Sequence, residues 1–242
     1  MQGETPRTAM VLAAGLGKRM RPITDTIPKP LVPVAGKTLL DWGLNALQAE
    51  GVERAVVNVH YLADLIEAHV ASRQSPRITI SDERTELLDS AGGIVNALPQ
   101  LGEKPFYILN ADTFWLDQQP SSLSRLAGLW DEARMDILLM LASMDDVTGH
   151  SGSTDFLIDG EGQLARAKDP AGLVYAGAGI VHPRIFAGAE ATPHSLNAYF
   201  DRAITDGRLH GMVMRGRWIT VGTPDAIAPA EATVAAWRQQ AQ

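Results

Sequence analysis

The segment Leu12-Ala13-Ala14-Gly15-Leu16-Gly17-Lys18-Arg19-Met20-Arg21-Pro22 combines small residues with a cluster of cations. Small side chains let a backbone approach a ligand closely, and consecutive N–H groups in a glycine turn can form an anion-binding nest. Lys18, Arg19 and Arg21 add charged donors at the same place, which suits a polyphosphate. A glycine pair alone fits a plain βα turn with solvated charges equally well. The segment is not a Walker loop, because no Gly-Lys-Ser/Thr closes it. It is not a dinucleotide fingerprint either, because the third glycine is missing and a proline-rich loop replaces the expected helix. Downstream, Lys29 stands between Pro28 and Pro30. The prolines stiffen its backbone, so its ammonium could act as a fixed clamp on a reacting phosphate. Asp112 follows an apolar strand over 105–110. It stands at a strand's carboxyl end, where it could simply cap Thr113.

The elements that would position these groups alternate. Strands are expected at 8–14, 54–60, 77–82, 105–110 and 136–142, with helices at 38–50, 62–72, 90–98 and 123–134 between them. The stretch from Gly15 to Gly36 carries Pro22, Pro28, Pro30 and Pro33 and reads as a long ordered loop. Such alternation predicts an α/β fold: a Rossmann-like, mostly parallel sheet with helices on both faces. Sites on such sheets lie beyond strand carboxyl ends, which singles out Gly15 and Asp112. After Ser143 the pattern becomes mixed. Short strands at 154–158 and 164–168 flank a turn at 159–162, and a strand follows at 174–181. A helix spans 195–206. Segments 209–214 and 218–221 read as a hairpin turned at Arg215-Gly216, and a helix over 225–240 closes the chain. One domain over 1–242 is expected, with a core at about 8–142 and a mixed extension at about 143–242.

Composition narrows the function. The chain has 242 residues, 45% hydrophobic and 20% charged, the balance of a folded globular protein. Its net charge of −7 argues against nucleic acid as a partner. With no cysteine there is no disulfide, thiolate metal site or thiol nucleophile. The opening residues lack a basic region followed by an apolar one, and no apolar run suits a membrane span, so a cytoplasmic protein without membrane partners is expected. The six histidines have no metal-ligand spacing, and no Gly-x-Ser-x-Gly elbow is present.

From Leu12 to Val34 the chain resembles the sugar-1-phosphate nucleotidyltransferase family, which carries L-A-A-G-x-G-x-R-M-x-P-x-T followed by P-K-P-L-x-P-V. The resemblance continues through Leu87-Leu88-Asp89-Ser90-Ala91-Gly92-Gly93, Asn110-Ala111-Asp112, Tyr175-Ala176-Gly177 and Trp218-Ile219-Thr220-Val221-Gly222-Thr223-Pro224. It implies transfer of a nucleoside monophosphate from a nucleoside triphosphate to a sugar 1-phosphate, with Mg²⁺ as cofactor. It implies nucleotide binding by Ala13, Ala14, Gly15, Gly17, Lys18, Glu83, Ser90 and Gly92. Arg19, Lys29 and Asp112 are the implied catalytic residues, with Asp112 also the metal carboxylate. Gly177 and Lys168 would meet the sugar phosphate, whereas Asn197 reads as a cap or surface residue. Thr220 departs from the family, which often has a second metal-binding Asp there. Among short members, the resemblance points to UTP and N-acetylmuramate 1-phosphate, in cell-wall recycling. The alternatives are GTP with mannose 1-phosphate, or a nucleotide-sugar binding module that has lost catalysis. Because the sequence runs only a short way past Pro224, an appended acetyltransferase or left-handed β-helix is not expected. Oligomeric state is not legible.

Overall fold

The fold is built outward from β1 (Thr8–Leu12), whose apolar run stops just before the glycine turn. The computed structural model describes residues 5–167 and 171–240. From Gly15 to Gly36 there is no α-helix, as the prolines dictate. Three single-turn 3-10 helices fill the stretch, at Lys18–Met20, Ile23–Asp25 and Lys29–Leu31, ahead of the hairpin β2 (Pro33–Val34) and β3 (Lys37–Thr38). The Thr38 hydroxyl accepts the Asp41 N–H at 3.0 Å and so caps α1 (Leu39–Ala49). That helix buries Leu40, Leu44 and Leu47, each such side chain contributing roughly 1.5–3 kcal/mol.

There follow β4 (Arg54–Val59), α2 (Ala63–Val70), β5 (Arg77–Asp82), α3 (Asp89–Leu101), β6 (Phe106–Asn110), β7 (Thr113–Asp117) and α4 (Ser122–Leu129). Next come β8 (Ile137–Ala142), β9 (Val147–Thr148), β10 (Phe156–Ile158), β11 (Leu164–Arg166) and β12 (Val174–Val181). The chain then runs through α5 (Asn197–Thr205), β13 (Leu209–Val213), β14 (Gly216–Thr220) and α6 (Ile227–Gln240). The main sheet has seven strands in the order β13-β8-β12-β6-β1-β4-β5. Only β12 runs against its neighbours, so the sheet is mostly parallel, as expected. Side chains alternate across β1. Ala9 and Val11 meet residues of α1, α2 and α4 on one face, and Met10 meets α3 on the other. Helices thus cover both faces.

Three local expectations fail, each for a long-range reason. Segments 209–213 and 216–220 do not form a hairpin. β13 joins the main sheet beside β8, whereas β14 pairs with β7 and β9 in a separate three-stranded sheet. Gly216, at φ +130°, lies against the Leu116 carbonyl where no Cβ fits, and this is where the chain changes sheets. β7 itself follows β6 so closely that no sequence break announced it. Last, α4 stops at Leu129 because Trp130 adopts extended backbone and buries its ring in the core.

The small sheet carries a third apolar cluster. Phe114, Leu116, Ile219 and Val221 pack with Val234 of α6 and with Met20 and Val32 of the proline-rich loop. The end of the chain therefore braces the loop that carries Lys29. Among the described residues, no helix is long and apolar enough to cross a membrane.

His210 on β13 is buried, and burial holds its pKa below the usual histidine range, with the Arg134 charge adding to the effect. The unfolded chain takes up this proton near pH 6.5 and the folded chain only at lower pH. Stability is therefore fully present above about pH 6.5 and falls below it, by at most about 1.4 kcal/mol per pH unit from this group. His210→Phe is expected to reduce that slope, measured as the difference in denaturant midpoint between pH 7.5 and 5.0.

Candidate functional site

β1 lies between β6 and β4, pairing Leu12 with Asn110 on one side and Val11 with Val57 on the other. The chain leaves β1 towards β4, while β6 belongs to a later excursion. Their loops part at the carboxyl ends and leave a crevice, the place where open α/β sheets bind ligands. A cavity of about 460 Å³ occupies it. Six of the sequence-expected residues line that cavity: Ala13, Ala14, Gly15, Lys29, Ser90 and Asp112.

Lys29 and Asp112 meet across 83 positions of chain. The Lys29 Nζ donates to Asp112 Oδ2 at 2.6 Å. The lysine side chain is only 12% exposed and the aspartate 39%, so the ammonium is held and the carboxylate still faces the cavity. The Asp112 carbonyl accepts the Val221 N–H at 3.2 Å, which ties the loop to the end of β14.

Gly17 sits beneath this pair. Its φ is +60°, and a Cβ there would lie 3.1 Å from both Lys29 Cβ and Thr24 Cγ2. The Thr24 hydroxyl donates to the Gly17 carbonyl at 2.9 Å, and the Tyr61 hydroxyl donates to the Thr24 carbonyl at 2.7 Å. Gly17→Ala is expected to cost roughly 1 kcal/mol of stability through its left-handed backbone. It should also lower kcat by displacing Lys29. Thermal unfolding together with steady-state kinetics checks both effects.

A second cavity of about 340 Å³ adjoins the first. Leu12, Ser90, Asn110 and Asp112 line both. Its remaining wall includes Asp155, Arg166, Tyr175, Asn197, Trp218 and Thr220. Thr220 pairs with Thr113, next in the chain to Asp112. The Tyr175 hydroxyl and the Trp218 indole N–H are buried there without a hydrogen-bond partner among the described residues, and unpaired buried donors suit a polar ligand. Burial pushes the Tyr175 pKa up, with the Asp112 and Asp155 charges adding to the shift, which favours the neutral hydroxyl.

Other expected residues stand elsewhere. Glu83 is 1% exposed and lies behind the first cavity rather than on its wall. Its carboxylate accepts the Asn58 side-chain amide at 2.7 Å and the Leu88 N–H at 3.1 Å. Burial raises its pKa, partly offset by these hydrogen bonds. Asn58 in turn accepts the Ala13 N–H at 2.7 Å and lines the cavity. Glu83 therefore bears on the glycine turn through Asn58. Gly92 is buried against the Thr192 carbonyl, with no room for a side chain. Gly177, at φ +72°, leaves only 2.5 Å between a Cβ position and Thr113 Oγ1, so it lets β12 approach the start of β7. Lys18 and Arg19 are exposed and line neither cavity. Arg19 nonetheless lies near Gly222, beyond β14. Lys168 is outside the described residues.

Sequence reasoning passed over Asn58 and Arg166, and set Asn197 aside as a cap or surface residue. Asn58 left a signal, a lone polar residue inside the buried run Ala55-Val56-Val57-Asn58-Val59. Asn197 is the first residue of α5 rather than its cap, a place held by Leu196, and its carboxamide oxygen accepts Arg166 Nη2 at 2.9 Å.

No group of three His, Cys, Asp or Glu side chains stands together among the described residues. A metal fully enclosed by protein ligands does not fit this donor set. A single carboxylate on the wall between two cavities fits an ion that arrives with phosphate oxygens and keeps several waters.

A glycine turn, a clamped lysine and an aspartate at the switch point of a mostly parallel sheet define a nucleotide-handling α/β protein. The chain belongs to the nucleotidyl transferase family, whose pattern matches residues 8–146. It is 46% identical to N-acetylmuramate alpha-1-phosphate uridylyltransferase of Caulobacter vibrioides, over 96% of this chain and 98% of that protein. It is 33% identical to the protein of the same name from Neisseria meningitidis, over 95% and 99% of the two chains. Mannose-1-phosphate guanyltransferase of Neurospora crassa is more distant, at 28% identity over 89% of this chain and 61% of that protein. The inositol-1-phosphate CTP transferase of T. maritima has the same fold, with a TM-score of 0.79 at 19% identity over 99% and 98% of the two chains.

Proposed function

We propose that this protein transfers UMP from UTP to N-acetylmuramate 1-phosphate and releases pyrophosphate. The observation that carries this reading is the Lys29–Asp112 pair on the wall shared by two cavities. One cavity takes the nucleotide and the other the sugar, so their phosphates meet at the pair. The similarity to uridylyltransferases over nearly the full chain supports the choice of base and sugar.

A phosphate oxygen of the sugar 1-phosphate attacks the α-phosphorus of UTP. The bond from that phosphorus to the bridging oxygen breaks, and pyrophosphate leaves with the bond electrons. Both reactants arrive with their functional groups, so the protein's work is alignment and charge neutralisation. Ala13, Ala14 and Gly15 let the backbone approach the nucleotide, and Gly17 holds the turn. Ser90 lines both cavities and orients the reactants. Lys29 sits at the α-phosphoryl group and offsets the charge that develops there. Arg19 and Lys18, on the exposed side of the turn, meet the outer phosphates as they depart. Asp112 would hold Mg²⁺ together with the phosphates. The ion, when bound, would neutralise phosphoryl oxygen charge, and Thr220 would supply at most a neutral neighbour to it.

Pyrophosphate release tests the substrate choice. UTP with N-acetylmuramate 1-phosphate is expected to turn over, and GTP with mannose 1-phosphate is expected to be slower by at least about tenfold, the discrimination of one or two polar contacts. The reverse order would overturn the choice. Nucleotide binding without turnover would favour a non-catalytic module, the reading that Thr220 motivates. In that case Thr220→Asp should restore a rate; in an active enzyme it should change the Mg²⁺ dependence instead.

A further inference from the structure

Arg166, the last residue of β11, is the one Lys or Arg among the described residues lining the second cavity. Its guanidinium lies over the Phe156 ring, 4.8 Å from the centroid, and 5.9 Å from that of Phe200. Nε donates to Asp201 Oδ1 at 2.7 Å. Nη2 donates to the Asn197 side-chain oxygen at 2.9 Å and to the Asn197 carbonyl at 3.3 Å. Nη1 takes part in none of these bonds. Two aromatic faces and two anchors on α5 therefore fix the planar fork before any ligand arrives, so little side-chain entropy remains to be lost on binding.

Arg166 is absent from the wall that the two cavities share. An acceptor with its phosphate at Asp112 extends its sugar ring into the second cavity, where Arg166 waits. N-acetylmuramate 1-phosphate differs from other N-acetylhexosamine 1-phosphates by a lactyl ether that ends in a carboxylate. Moving a carboxylate from water into a partly enclosed cavity is costly unless a cation and hydrogen bonds receive it. A guanidinium does so with the geometry of two N–H donors. The Asp201 side chain is 60% exposed, so its present pairing with Arg166 is weak competition.

We propose that Arg166 binds the lactyl carboxylate of the acceptor and selects that sugar over those lacking the group. This rests on N-acetylmuramate 1-phosphate being the acceptor. Arg166 is a specificity residue, remote from the reacting phosphorus, and its loss should separate one acceptor from another rather than slow every reaction.

The test uses the full chain with UTP and either N-acetylmuramate 1-phosphate or N-acetylglucosamine 1-phosphate. Wild type, Arg166→Gln and Arg166→Lys are compared, with thermal unfolding to check that each is folded. Arg166→Gln is expected to lower kcat/KM for the muramate acceptor by about 10–100-fold, the worth of a charge-assisted pair. The loss should fall mainly on KM. Use of the glucosamine acceptor should be unchanged, and Arg166→Lys should recover part of the loss. Equal losses on both acceptors, or no loss on the muramate one, would overturn the proposal. A wild-type protein that ignores the muramate acceptor while using another sugar would instead overturn the substrate choice beneath it.

Discussion

Lys29→Ala is expected to lower kcat by about 10²–10³, the usual cost of removing one preorganised charge-stabilising contact. The expectation follows from how firmly the ammonium is placed. Its backbone lies between two prolines in a 3-10 turn, and the Val32 N–H donates back to the Lys29 carbonyl at 3.0 Å. Its side chain is almost enclosed and ends 2.6 Å from Asp112. A lysine so fixed needs no reorganisation when charge builds on the α-phosphoryl group. KM for the nucleotide should move much less than kcat, because the contact strengthens in the transition state. Lys29→Arg should not rescue, since a broad planar fork does not fit the place of a compact ammonium. A fall of less than about threefold, well short of the cost of one such contact, would mean that Lys29 serves only to hold Asp112.

Asp112→Asn should be about as damaging, for a different reason. The change keeps the shape and removes the negative charge, leaving the Lys29 ammonium without its partner in a mostly enclosed position. Among the described residues no group of three His, Cys, Asp or Glu side chains offers a replacement metal site. A loss of roughly 10²–10³ in kcat is expected, with a higher Mg²⁺ concentration needed for half-maximal rate. The double variant Lys29→Ala/Asp112→Asn should be little worse than the more damaging single variant, because groups that act as a unit are not additive. Additive losses would show that the two residues act independently despite their contact.

Most of the main sheet was legible in the chain because its signals are local. Apolar runs such as Thr8–Leu12 and Arg54–Val59 alternate with amphipathic helices, and prolines announce the loop between Gly15 and Gly36. The pairing of β14 with β7 was not legible. Residues 216–220 carry an ordinary turn signal at their start, and nothing local says that their partner lies a hundred positions upstream. The same holds for the site. Glycine, lysine and aspartate could each be singled out by type and neighbours, but the 2.6 Å contact of Lys29 with Asp112 exists only because β1 and β6 are adjacent. Glu83 shows the opposite error. Its motif neighbourhood suggested direct ligand contact, whereas its carboxylate is taken up by Asn58 and Leu88 inside the protein. Arg166 had no motif at all, and its interest comes from the cavity and the two rings beneath it.

The central claim is that two phosphates meet at Lys29 and Asp112 and that the α-phosphorus is the one attacked. Phosphorus NMR of a reaction holding UTP, Mg²⁺ and N-acetylmuramate 1-phosphate tests it most directly. The sugar phosphate resonance and the three UTP resonances should decline together, replaced by the signals of a sugar nucleoside diphosphate and of pyrophosphate in equal amounts. Release of inorganic phosphate with UDP, or loss of UTP without consumption of the sugar phosphate, would place the attack elsewhere and contradict the claim.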